Sequence, residues 1–269
     1  MRSFVFACIA VLAGLCWGSS ACAGQPSLEQ VVAADHRSAA NRARDDQRHP
    51  VETLEFFGLK PDMMVVEILP GEGWYTEILA PYLAASGKLA VASHGTEGAN
   101  EYRRKSHEAL MAKLDASPAL YGAVERRVMW QGDGVVLGPP ASADMVVTFR
   151  NTHNWINDGT LEAVYKACFD VLKSGGILGI EQHRAPAGAD PAQSAAKGYV
   201  PEAYLIGVLE GLGFKLAGKS EINANPRDTK DYPDGVWTLP PVLRLGDVDR
   251  ARYVAIGESD RMTLKFVKP

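Results

Sequence analysis

The sequence predicts an α/β protein: a doubly wound, mostly parallel sheet with an N-terminal helical cover and an antiparallel C-terminal strand. Three observations carry this. Apolar runs rich in β-branched residues recur along the chain with a single helical pattern between most of them, which implies parallel pairing through right-handed crossovers. The first run, Met63–Leu69, leads directly into Pro70-Gly71-Glu72-Gly73, a strand–glycine loop–helix corner at which a backbone can approach an anion or a nucleotide. Only at the C-terminal end do two strand patterns follow one another without a helix between them.

Each element follows from its local pattern. Residues 28–46 have a helical period, with Leu28, Val31, Val32 and Ala40 on one side and Arg37, Arg42, Arg44, Asp45 and Asp46 on the other. His49-Pro50 opens a second helix that runs through Phe57 and stops at Gly58. Met63–Leu69 then reads as a strand buried on both faces, and Tyr75–Ala85 as a helix closed by Gly87. Lys88–Ser93 is a strand, Asn100–Ala116 a charged helix, and Val124–Trp130 and Asp144–Arg150 two further strands. Gly159–Leu172 is a helix, and Ser174-Gly175-Gly176 turns the chain into the strand Ile177–Gln182. Pro201–Leu212 is a helix ended by Gly213, Phe214–Ser220 a strand, and Arg261–Val267 the terminal strand. Between the last two lies an irregular stretch, 221–260, whose length suggests a lid over a site or an ordered wrap along a sheet edge. Arg227, Asp228, Asp231, Tyr232 and Trp237 are its charged and aromatic members.

A net charge of -4 and the lack of a basic run interleaved with aromatics argue against a nucleic-acid binder. Met1-Arg2, the apolar stretch Phe4–Trp17 and the small residues Ala21 and Ala23 predict a secretory signal cleaved after Ala23. The mature chain is therefore expected to be exported, periplasmic or secreted, with no stable membrane insertion. Cleavage removes Cys8, Cys16 and Cys22 and leaves Cys168, on the apolar side of a helix, as a small hydrophobe. The domain reading is 1–23 signal, 24–58 N-terminal helices, and 59–269 a single α/β domain with the 221–260 insert.

An acid at the end of the first strand, a Gly-x-Gly loop, five β/α alternations and a terminal β pair resemble the class I S-adenosylmethionine-dependent methyltransferases, with their Rossmann-like fold. The likeness covers about residues 50–220 and the final strand. Asp144-Met145-Val146-Val147-Thr148-Phe149-Arg150-Asn151-Thr152-His153-Asn154-Trp155 is similar to the fourth-strand motif of the ubiquinone/menaquinone-type enzymes, and Leu172-Lys173-Ser174-Gly175-Gly176-Ile177-Leu178 to their turn into the fifth strand. Gly235-Val236-Trp237-Thr238-Leu239-Pro240-Pro241 and the stretch 253–267 resemble a narrower group of exported, methyltransferase-like bacterial proteins. Two departures stand out. Leu69 occupies the position of the family's first loop glycine, and Val91-Ala92-Ser93-His94 lacks the acid that usually takes the ribose hydroxyls, for which Glu97 is the nearby substitute.

The resemblance implies S-adenosylmethionine as cofactor and a small or medium-sized acceptor molecule as substrate. It implies cofactor contacts from Glu67, Gly71 and Gly73, from Arg150 and Asn151 at the mouth of the fourth strand, and from Asp133 on the adenine amino group. Read alone, Glu67 could instead cap the following helix, and Asp133 could be a turn aspartate bonded to its own backbone. His153 and His183 lie at carboxyl ends of strands, where ligands bind in open α/β sheets, and are the candidate catalytic bases. His153 with Trp155 could equally pack the loop, and His183 could be a surface histidine at a strand end. His94, His153, His183 and Glu181 are the ligand types zinc prefers but lack metal-site spacing, so no metal is expected. The alternative to methyl transfer is an exported small-molecule-binding protein on the same fold.

Overall fold

The computed structural model describes residues 25–132 and 134–269; the expected signal segment and Asp133 lie outside them. Among the described residues, nine strands form in chain order: β1 Met64–Ile68, β2 Lys88–Ser93, β3 Glu125–Val128, β4 Trp130–Gln131, β5 Gly134–Val135, β6 Ala143–Phe149, β7 Leu172–His183, β8 Lys215–Ser220 and β9 Arg261–Val267. Seven of them make one sheet in the order β3-β2-β1-β6-β7-β9-β8, while β4 and β5 pair as a separate hairpin. Pairing is parallel from β3 through β7, and β9 runs antiparallel to both β7 and β8.

The central strands are apolar on both faces because helices cover both. Along β1, Val65 joins one core with Leu54, Phe57 and Ile78, and its neighbour Val66 joins the other with Trp155, Tyr165 and Leu205. This alternation explains the uninterrupted apolar run in the sequence. Strand order reverses where β1 pairs with β2 on one side and β6 on the other, which opens a crevice beyond their carboxyl ends.

The N-terminal cover differs from the sequence expectation. Residues 28–46 are not one helix; Leu28–Ala33 and Ala39–Arg42 are short helices, Asp45–Arg48 is a third, and Ser27 and Ser38 cap the first two. Arg37 and Arg48 are buried at 1% and 4% exposure, so part of the expected polar outer face is an inner one. Both guanidinium groups pack on the Trp74 ring, at 4.9 and 4.7 Å from its centroid, which gives these cations a reason to be inside. The predicted strand Val124–Trp130 divides into β3 and the start of the β4–β5 hairpin. The 221–260 segment is an ordered wrap with a 3₁₀ turn at Gly235–Thr238 and a helix at Arg250–Ile256, sealed by Tyr232, Leu239 and Tyr253. Asn223 ties it to the cover and the sheet by donating to Thr53 Oγ1 at 2.9 Å and Thr263 Oγ1 at 3.0 Å. Among the described residues, no helix is long and apolar enough to cross a membrane.

The cover docks on the sheet at Gly179 of β7, where a Cβ would lie 2.6 Å from the Phe57 ring. Gly179→Ala should therefore force Phe57 aside and cost about 1–3 kcal/mol, as overpacking does elsewhere. The check is the denaturant midpoint; an unchanged midpoint would mean that the helix Pro50–Phe57 is loosely seated.

Candidate functional site

A cavity of about 510 Å³ opens beyond the carboxyl ends of β1, β6 and β7, within the range of roughly 300–1,000 Å³ common for small-molecule sites. Its floor begins at β1. Glu67 is 1% exposed, and its Oε2 accepts from Thr76 Oγ1 at 2.6 Å. Burial pushes this carboxyl up to about 7, against the opposing pull of Thr76, Lys113 and Arg150. The loop then turns through Leu69 at φ 47° and Gly71 at φ 62°. Leu69 holds the left-handed backbone for which the glycine of the resembling motif is suited, and Asn151 Nδ2 supports it by donating to the carbonyls of Ile68 and Leu69 at 3.1 and 3.2 Å. The leucine side chain lines the cavity without closing it. Beside Gly71 a Cβ would meet nothing within 4 Å, so the backbone there is open to a ligand.

Gly73 is placed differently from the expectation that it touches a cofactor. It does not line the cavity; a Cβ on it would meet Leu110 at 3.1 Å and Thr76 at 3.3 Å. Its φ of 80° and the close helix contact account for the glycine. Asp133 lies outside the described residues.

The second wall comes from β6 and β7. Arg150, at φ 63°, donates from Nη1 to Glu181 Oε1 at 2.9 Å, and Glu181 also receives Arg261 at 3.1 Å and the Tyr75 hydroxyl at 3.2 Å. Despite burial, these cations hold the Glu181 carboxyl below its usual range. Glu258, from the wrap, takes Arg44 at 2.7 Å, Arg261 at 3.0 Å and Arg48 at 3.1 Å. Its pKa falls to about 2 because these arginines outweigh its burial. Tyr75 stacks on Phe149 with ring centroids 3.5 Å apart, which gives the cavity a flat aromatic side.

The two candidate histidines meet at this cavity, with ring centroids 5.8 Å apart. The strand Asp144–Arg150 is followed by a short helix, Thr152–Asn157, and not by a loop; the side-chain carbonyl of Gln182 caps it at the amide of Thr152. With that oxygen occupied, Gln182 donates from Nε2 to His153 Nδ1 at 3.3 Å, which places the His153 proton on Nε2. Burial lowers His153 to about 4, so it does not titrate near neutrality as an isolated histidine would. His183 Nδ1 pairs with Ser259 Oγ at 2.5 Å, and its pKa lies well below the usual value because of burial, then His153, then Arg150. Trp155 belongs to the core, edge-on to Tyr165 at 5.3 Å, and has no cavity contact. Of the aromatic and charged residues singled out in the insert, Trp237 alone reaches the cavity, edge-on to His153 at 5.8 Å.

A smaller cavity of about 360 Å³ lies at the end of β2, bounded by His94, Glu97, Arg103 and Trp130. The loop after β2 folds back far enough to bring Glu97 to it. Trp130 Nε1 donates to His94 Nδ1 at 3.1 Å, and burial, reinforced by Arg103, lowers His94 to about 4. Among the described residues, no three His, Cys, Asp or Glu side chains are grouped as metal ligands would be.

Sequence reasoning missed Arg48, Glu258, Ser259 and Arg244 as cavity residues. Arg48 falls between two helical patterns and carries no motif, Glu258 and Ser259 lie in a stretch whose family likeness assigns them no role, and Arg244 lies in the irregular part of the insert. The single available signal was Trp74, a large aromatic beside the glycine loop that needed a buried partner.

The strand order and the crevice at β1 and β6 define the fold of the class I S-adenosylmethionine-dependent methyltransferases. The structure is similar to a SAM-dependent methyltransferase from Aquifex aeolicus, with a TM-score of 0.56 and 15% identity over 84% of this chain and 93% of that one. It is similar to the [4+2]-cyclase SpnF, with a TM-score of 0.57 and 15% identity over 88% and 85% of the two chains. A third such structure is the glycopeptide N-methyltransferase MtfA complexed with sinefungin, with a TM-score of 0.52 and 13% identity over 84% and 94%. No protein-family model matches the chain, and no curated protein matches it in sequence.

Proposed function

We propose that this protein transfers a methyl group from S-adenosylmethionine to a small or medium-sized acceptor bound between β6 and the 221–260 wrap. The observation that carries this is the open backbone at Gly71 beside the buried, cation-poor carboxyl of Glu67. Among the described residues Glu67 makes no ion pair, Lys113 and Arg150 acting on it too weakly to offset its burial, and the ammonium of a methionine moiety is of the right charge and size to supply one. Glu97 and His94, which line the smaller cavity at the end of β2, are the candidates to meet the ribose hydroxyls, Glu97 as acceptor and the His94 ring as donor. When bound, the cofactor would supply an electrophilic methyl: an acceptor lone pair takes it, the electrons of the broken S–C bond return to sulfur, and any proton on the acceptor must leave.

For that proton, His183 is better placed than His153. If His183 donates from Nδ1 to Ser259, its Nε2 keeps a free lone pair, whereas His153 carries its proton on Nε2 and serves as a donor. Stacked Tyr75 and Phe149 exclude water from the same wall. Export after loss of residues 1–23 is part of this reading, and the mass of the protein recovered from the extracytoplasmic fraction tests it.

Calorimetry of the mature chain with S-adenosylmethionine and S-adenosylhomocysteine tests the main reading. Saturable binding of both is expected, and Gly71→Arg should abolish it with a loss of only about 1–2 kcal/mol in stability from the left-handed backbone. No heat with either ligand would overturn methyl transfer in favour of a non-catalytic binding protein.

A further inference from the structure

We infer that the acceptor is an anion, a carboxylate or phosphate on a flat apolar body, and that Arg48 and Arg150 form its seat with Arg244 at the mouth. This rests on the proposed methyl-transfer reading for the acceptor's role, though the seat itself is a property of the cavity.

The first ground is hydrogen-bond supply. Arg48 is 4% exposed, yet only its Nε has a partner, Glu258. Arg150 uses only Nη1, on Glu181. Among the described residues, the remaining guanidinium N–H groups of both have no acceptor, and both side chains line the cavity. Neither arginine's remaining N–H groups are sealed in the protein; with no protein acceptor, they are left to the cavity that both side chains line. Two guanidinium forks in one pocket match the oxygens of a carboxylate or phosphate.

The second ground is charge. Arg44, Arg48, Arg150 and Arg261 converge on two acids, Glu181 and Glu258. Arg48 is depressed to about 9, by burial first and then by Arg150, against the opposing pull of Glu258. A sulfonium brought into such a cavity would add to the positive excess, whereas an anionic acceptor would offset it. Arg244 adds a further cation at the rim, exposed and lying 4.8 Å over the Trp237 ring. The third ground is the shape of the walls: Trp74 beneath Arg48, the Tyr75–Phe149 stack, and Trp237 present flat apolar faces beside the cations.

The test is calorimetry of the mature protein, with and without S-adenosylhomocysteine, using benzoate and phenyl phosphate against the neutral analogue benzamide. At least one anion should bind saturably, at least tenfold tighter than benzamide, and weaken as salt rises. The preferred anion then separates a carboxylate seat from a phosphate one. Arg48→Met and Arg150→Met should each weaken it tenfold or more. Arg244→Ala, which breaks no side-chain hydrogen bond or ion pair and loses only the exposed contact with the Trp237 ring, should weaken it several-fold with little change in melting temperature. The inference is overturned if neither anion binds, or if benzamide binds as well as they do. It is also overturned if benzoate competes with S-adenosylhomocysteine and the same variants weaken both equally, since the guanidinium groups would then serve the cofactor's own carboxylate. Anion binding without any S-adenosylhomocysteine binding would leave the seat standing and remove the methyl-transfer reading.

Discussion

Glu258→Ala is expected to be the most destabilising single change at the site, at about 3–5 kcal/mol near neutral pH, because it strands buried arginines whose charge it balances. Arg44, Arg48 and Arg261 all bond this one carboxylate, which is 6% exposed. The sign of the pH dependence follows from the direction of the shift. The folded-state pKa of about 2 lies below the ordinary value of 4.5, so the stabilisation is fully present above pH 4.5 and is lost as pH falls towards 2. A shift of that size corresponds to a contribution on the order of 3 kcal/mol. Denaturant unfolding of the wild type and the variant, from pH 7 down to pH 2, should show a large gap that closes at the acid end. Glu258→Gln, which keeps shape but not charge, should behave like the alanine variant. If the glutamine protein matched the wild type at pH 7, the cluster would be held by packing and hydrogen bonds, not by charge.

That cluster also marks where the sequence stopped being informative. The strands were legible because a strand buried on both faces cannot hide its composition: Val65-Val66 and Val146-Val147 have no polar alternation to confuse the reading. The crevice was legible too, because ligands collect at the carboxyl ends of strands that bear Glu67, Arg150 and His183. What the sequence did not reveal is pairing across distance. Arg48 and Glu258 are 210 positions apart, and each alone reads as a solvated charge on a surface element. Nor does an ordinary pattern announce that Leu69 and Arg150 take left-handed backbone, since both residue types normally avoid it. Gly73 shows a related ambiguity: a glycine held by a close helix contact looks in sequence like one that faces a ligand. The low pKa of His153 was equally hidden, because it comes from burial, and the ring's neighbours Trp237 and Gln182 lie far along the chain.

Glu67 should show the opposite pH behaviour to Glu258, and the contrast gives the second large effect. Its folded-state pKa, raised to about 7 chiefly by burial, lies above the unfolded value of 4.5. The unfolded chain therefore releases this proton first, and stability falls as pH rises from 4.5 to about 7, levelling off above that. Glu67→Gln removes the penalty while keeping an oxygen for the Thr76 hydroxyl. At pH 8 it should be more stable than the wild type by on the order of 3 kcal/mol, and near pH 4.5 the two should coincide. Function should move the other way. If the carboxylate receives an ammonium group, S-adenosylhomocysteine should bind the wild type more tightly as pH rises through 7, and Glu67→Gln should lose at least tenfold in affinity and most of that pH dependence. A carboxyl kept buried at a cost in stability, and answered only when a cation arrives, is what separates a binding site from a helix cap. Titrating thermal stability and ligand affinity of both proteins across pH 4.5 to 8 decides between them: a variant stabilised at pH 8 with unaltered affinity would reduce Glu67 to a structural residue.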